Sequence, residues 1–191
     1  METGENNPVY IQTENFNIGL SSSYHLSIQL GIDHFSYCLL NTITFTYDYV
    51  KKYTLNSKDN RVTEMTEIIT NDAILKANFS SQSVAFVNVP STLVPSKLYK
   101  KEEEETLLAF NTKVIGKVLS DNITSQKAHL IYSVPESILT IVSNFFPDAK
   151  YKAQESILIE QYSQLNNEKK NAYLYLNEQK VSVTIFNGDK I

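Results

Sequence analysis

Residues 23–53, SYHLSIQLGIDHFSYCLLNTITFTYDYVKKY, decide the fold. Leu26, Ile28 and Leu30 alternate with His25, Ser27 and Gln29, the period of two of a half-buried strand. Gly31-Ile32-Asp33-His34 turns the chain, because Gly and Asp tolerate backbone angles that other residues avoid. Residues 35–40 form a second, nearly continuous apolar strand, and Asn41-Thr42 turns the chain again. Ile43, Phe45, Tyr47 and Tyr49 then alternate along a third strand rich in β-branched and aromatic residues. Such a meander needs a second layer over its apolar face.

Outward from the meander the chain alternates helices and strands. Residues 1–22 read as a loose leader. Val62, Met65, Ile68 and Ile69 recur at helical spacing over residues 61–70, and Asp72 is placed to cap a further short helix through Ala73, Ile74, Leu75 and Ala77. Residues 83–88 are a short apolar strand stopped by Pro90, and Pro95 opens a helical turn through Leu98 and Tyr99. The charge run at 100–105 is the solvated face of a helix carrying Leu107, Leu108 and Phe110. Strands follow at 113–119, with Asp121-Asn122 turning out, and at 128–133. A helix begins after Pro135 and ends at Pro147-Asp148. An edge strand at 149–153, a helix at 155–165, a polar hinge at 166–170 and a hairpin of 172–176 with 181–186 close the chain. The order describes an α/β sandwich.

Composition excludes more than it assigns. The net charge of −4 over 191 residues argues against nucleic acid as a partner. No apolar run reaches the roughly 18 residues of a membrane span, so direct insertion is not expected, and the polar, acidic N-terminus has no signal-peptide pattern. A cytoplasmic protein is the expectation. Cys38, the one cysteine, reads as a buried small hydrophobe in the second strand. His25, His34 and His129 are not spaced as metal ligands, and no glycine belongs to a phosphate-binding or nucleophile-elbow motif. His34 is expected exposed in its turn, and His129 satisfied in a core or edge strand. Tyr47, Tyr49 and Tyr53 share one face of the third strand, to be covered by the leader or a helix, with a binding surface as the second option.

The outline resembles the ribonuclease H-like half-domain of the actin-like ATPases, sugar kinases and chaperone ATPases, the ASKHA group. Residues 26–31, LSIQLG, look like the first phosphate-loop hairpin of such proteins, and residues 172–188 like the second. The phrases LSIQLGIDHFSYCLL, FVNVPSTLVPSKLY with the later LAFNT, and IYSVPESILTIVSNFFPDAK are similar to a bacterial family of unknown function with an actin-like fold. The resemblance implies a mixed ribonuclease H-like sheet with flanking helices. It implies a flexible leader at 1–22, a first actin-like subdomain at 23–166 and the opening hairpin of a truncated second subdomain at 171–191.

The same resemblance frames the chemistry. Actin-like ATPases place a carboxylate on the first strand of each half to position hydrated magnesium, and glycines where phosphate approaches the backbone. Here the carboxylate positions hold Gln29 and Tyr175, while Gly31 remains in the first loop and Asn177 opens the second. A neutral amide and a phenol do not replace two anions, so both loops read as degenerate. The expectation is a non-catalytic, pseudo-ATPase scaffold without cofactor or metal, which binds a partner protein or itself. The alternative is a nucleotide-binding ATPase or kinase-like enzyme completed by residues beyond Ile191 or by another chain.

Overall fold

The computed structural model describes residues 8–31, 34–56, 60–166, 169–176 and 180–191, and among them eleven strands, four α-helices and three short 3-10 helices make up the regular structure. By contact the chain groups into two units, Met1–Asn88 with Val134–Lys152, and Val89–Ser133 with Ala153–Ile191. The sequence boundaries at 23–166 and 171–191 instead follow chain order.

The first unit is built on a six-stranded sheet. Its members are β1 (Val9–Gln12), β2 (Tyr24–Leu30), β3 (His34–Asn41), β4 (Tyr47–Thr54), β5 (Ser81–Phe86) and β9 (Lys150–Ala153). Their spatial order is β1-β4-β3-β2-β5-β9. The meander pairs antiparallel, as its short turns require, whereas β5 lies parallel to β2. A parallel return needs a crossover, and α1 (Arg61–Asn71) supplies it. Leu26, Ile28, Phe35, Tyr37, Leu39, Val84 and Phe86 are buried on one face of the sheet. On that side Met65 and Ile69 of α1, which packs beside α3 (Glu136–Phe145), complete the core with Ile141 and Val142. The other face carries half-buried His25, Ser27, Gln29, Ser36, Cys38 and Leu40.

Four local expectations change in this unit. The stretch read as a loose leader holds β1 on the edge of β4, and Phe16 packs its ring 4.7 Å from that of Tyr49. The third strand starts at Tyr47 rather than Ile43. Its register shifts at Leu39/Leu40, which face Tyr49 and Tyr47, so Asp48 is an extra residue in the strand. Asp48 and Tyr49 are therefore both buried, and Tyr47 leaves the face that Tyr49 and Tyr53 share. The short helix after Asp72 does not form; the Asp72 carboxylate accepts the Ile74 N–H at 2.9 Å and closes a turn instead. Cys38 is half-buried rather than buried, and its burial pushes the thiol pKa up.

The second unit contains a three-stranded sheet of order β6-β8-β7, from β6 (Ser91–Pro95), β7 (Lys117–Ile123) and β8 (Ala128–Val134). With α2 (Glu104–Asn111) it encloses Val94, Leu108 and Ile131, against which Tyr99, Leu107, Val114 and Val118 pack. The strand expected at 113–119 lies four residues later, because Asp121 is a buried member of it and not a turn residue. The acidic run is not uniformly solvated. Glu104 is buried, accepting the Tyr99 hydroxyl at 2.6 Å and the Lys101 ammonium at 2.9 Å. His129 lies flat on the Tyr99 ring at 3.7 Å with its Nδ1 buried and without a hydrogen-bond partner, so it is stacked rather than fully satisfied. After α4 (Gln154–Leu165), β10 (Asn171–Leu176) and β11 (Val181–Phe186) pair as an antiparallel ribbon, the hairpin expected from the sequence. Among the described residues no helix is long and apolar enough to cross a membrane.

Candidate functional site

In open α/β sheets ligands gather at the carboxyl ends of parallel strands. In the first unit that place is the end of β2 and β5. Gln29, one residue before the end of β2, stands on the half-buried face opposite Ser36 of β3 and Ala85 of β5. Its Oε1 accepts the Ser36 hydroxyl at 3.5 Å, a long hydrogen bond. Gly31 donates its N–H to the His34 carbonyl at 3.0 Å and closes the hairpin. A Cβ on Gly31 would fall 2.6 Å from Cε1 and 2.8 Å from Nδ1 of His34. A side chain at this position would have to displace the imidazole, and His34 is half-buried over the glycine rather than exposed. Ile32 and Asp33 lie outside the described residues. Beside Gly31, Val87 donates to the Leu30 carbonyl at 2.8 Å, and Asn88 turns the chain with φ of 58°, which asparagine tolerates better than most residues. Among the described residues the groups here are an amide, a hydroxyl and an imidazole over glycine.

The other expected loop lies in the second unit. Tyr175 of β10 accepts a hydrogen bond from Gln154 Nε2 of α4 at 2.8 Å. That phenol is a structural contact between hairpin and helix. Asn177 lies outside the described residues. Gln29 and Gly31 are neighbours; Tyr175 belongs to the other unit.

Sequence reading missed a second polar cluster in the first unit. His25 Nδ1 shares a hydrogen bond of 2.7 Å with the Ser81 hydroxyl, and Nε2 one of 2.9 Å with that of Ser83. These residues line a cavity of about 440 Å³ with Phe79, Asp148 and Lys150. Burial lowers the His25 pKa, so the ring is held neutral with one nitrogen donating and one accepting. The serines are 56 and 58 residues away in sequence, and only the parallel register of β2 and β5 reveals them. A larger opening of about 720 Å³ borders Lys51, Tyr53, Glu64, Glu67 and Asp72. Among the described residues no group of three or more His, Cys, Asp or Glu side chains converges as a metal site requires.

The fold has a solved counterpart. A crystal structure of a protein from Bacteroides thetaiotaomicron VPI-5482, described as having an actin-like ATPase fold and unknown function, is similar to this chain with a TM-score of 0.84. The likeness covers 92% of this chain and 70% of that one at 18% identity, so it establishes the fold alone. No protein of curated function matches. The mixed sheet with flanking helices is therefore an actin-like fold, and the sequence match over residues 13–191 shows that the chain belongs to the family described as "Protein of unknown function (DUF3822)".

Proposed function

We propose that this chain is a non-catalytic actin-like protein that acts in the cytoplasm as a protein-binding or scaffold module. The observation that carries the reading is the end of β2. By the resemblance, Gln29 falls at the position an actin-like ATPase fills with a carboxylate for magnesium, and the His34 ring fills the space beside Gly31 that a Cβ would take. Glycine in a phosphate loop leaves room for the ligand, whereas this glycine leaves room for a neighbouring side chain. Tyr175, in the second expected carboxylate position, is engaged with Gln154.

Titration of Mg-ATP into the 191-residue chain by calorimetry tests this. No heat at millimolar nucleotide is the expected result. Micromolar binding overturns the reading and makes nucleotide turnover the next question.

A further inference from the structure

The hairpin of the second unit wears its pattern inside out. Toward α4 it turns Tyr173, Tyr175, Ser182 and Thr184 together with Phe186; Tyr173 stacks on Tyr162 at 4.7 Å and meets Phe186 edge-on at 5.6 Å. To solvent it turns Ala172, Leu174 and Leu176 of β10, paired in register with Ile185, Val183 and Val181 of β11. All but Ala172, itself exposed, are aliphatic side chains left 54–68% exposed. A ribbon with one wet face places its polar residues there; this one places none.

We propose that this aliphatic face is the contact between two copies of the chain. The proposal rests on the protein-binding reading above and names the partner. Size supports a second copy. At roughly 100 Å² of exposed aliphatic surface per residue, the six side chains present on the order of 600 Å², the upper end of what a monomer leaves bare. Two such faces bury about 1,200 Å², the lower bound of a specific, stable interface, before any rim atoms are counted. Chemistry supports it too. The six residues carry no charge and no side-chain hydrogen-bonding group, so the face is complementary to another like itself rather than to a polar partner. Shape agrees. A two-fold axis in the contact plane and across the strands sets the Leu174–Val183 row over its own copy. The same axis brings small Ala172 opposite large Leu176, so the outer rows interlock in the manner of aligned sheet packing.

The test is the mass of the full chain in solution, by light scattering on a sizing column, from about 1 to 100 μM, a range that reaches past the micromolar affinity of weak interfaces, since area alone does not set affinity. The expected mass is about twice the 21.7 kDa of the chain. Val183→Asp sets two carboxylates at the dimer centre and is expected to restore the monomer with an unchanged circular dichroism spectrum. Leu174→Lys, on the other strand, is expected to do the same. Phe45→Ser, on a different exposed residue, is expected to leave the dimer intact. A monomer at 100 μM, polydisperse aggregate in place of a dimer, or a dimer that survives both hairpin substitutions overturns the proposal. A monomer that also fails to bind nucleotide overturns self-association and leaves the scaffold reading standing. Micromolar nucleotide binding overturns the scaffold reading whatever the mass.

Discussion

Asp72 shows how one side chain ties the first unit together. Its Oδ2 accepts the hydroxyls of Tyr37 and Tyr53, each at 2.7 Å, and the Lys51 ammonium at 3.1 Å, while Oδ1 accepts the Ile74 N–H. Burial alone would raise its pKa, but these donors together outweigh burial and hold the carboxyl below its usual range. Burial first, and then the bond to this anion, push both tyrosines up, so they remain protonated donors. Asp72→Ala leaves buried donors without an acceptor and is expected to cost about 3–5 kcal/mol in urea unfolding. Asp72→Asn, which keeps one acceptor oxygen, is expected to cost about 1–3 kcal/mol. Equal midpoints for wild type and Asp72→Ala would contradict the account. The sequence made Asp72 legible as a local acceptor of a backbone N–H, although the helix it was expected to cap is a turn. Its partners on β3 and β4 were not legible, because they lie 19 to 35 residues away and meet it only once α1 covers the sheet.

At the level of elements, α4 begins without a cap of its own. Ala153 is the N-cap residue and offers no side-chain acceptor. The acceptor comes instead from β7, where Asp121 Oδ2 receives the Ala153 N–H at 2.8 Å and the Ser156 hydroxyl at 2.7 Å. A carboxylate at the positive end of a helix combines a cap with a favourable charge–dipole contact. Asp121→Ala is expected to destabilise by about 2 kcal/mol and Ser156→Ala by about 1 kcal/mol. The double substitution should fall short of their sum, since the Ser156–Asp121 bond is lost in either single substitution. Strictly additive losses in a denaturant series would place the two residues in separate interactions. Periodicity revealed α4, α1, α3 and the strands of the meander, because each depends on local spacing. It did not reveal the Asp48 bulge or the shifted start of β7. Each rests on a buried aspartate with partners distant in sequence: Asp48 accepts the hydroxyls of Thr13 and Tyr24 besides that of a near neighbour, and Asp121 receives groups of α4.

Across the molecule, buried carboxylates set the response to acid. Asp48 in the first unit and Glu104 in the second share the pattern of Asp72: burial raises the pKa, and hydrogen-bond donors more than reverse it. For each, the folded pKa lies below the unfolded value of about 4. The unfolded chain therefore binds more protons as pH falls, and the stability present above about pH 4–5 is lost as pH drops through the folded values. The melting temperature is expected to be flat near neutrality and to fall markedly by about pH 3; an unchanged value there would refute this. The actin-like outline was legible in the order of elements and in the phrases around the turns. The grouping of 89–133 with 153–191 was not, because it rests on contacts between segments that are far apart in the chain. Nor was the His34 ring over Gly31, since glycine in a turn has the same letter whether a phosphate or an imidazole approaches it.

The first unit is interrupted in sequence, and that has a consequence on the ribosome. Its sheet is nearly complete when β5 emerges, yet β9, the strand that covers the far side of β5, follows only after about 60 further residues. At roughly 5–20 residues per second, the free side of β5 stays bare for several seconds of synthesis. Through that interval the nascent chain carries an open strand edge next to Val84 and Phe86, and holding that edge apart from other chains falls to the cell rather than to the fold.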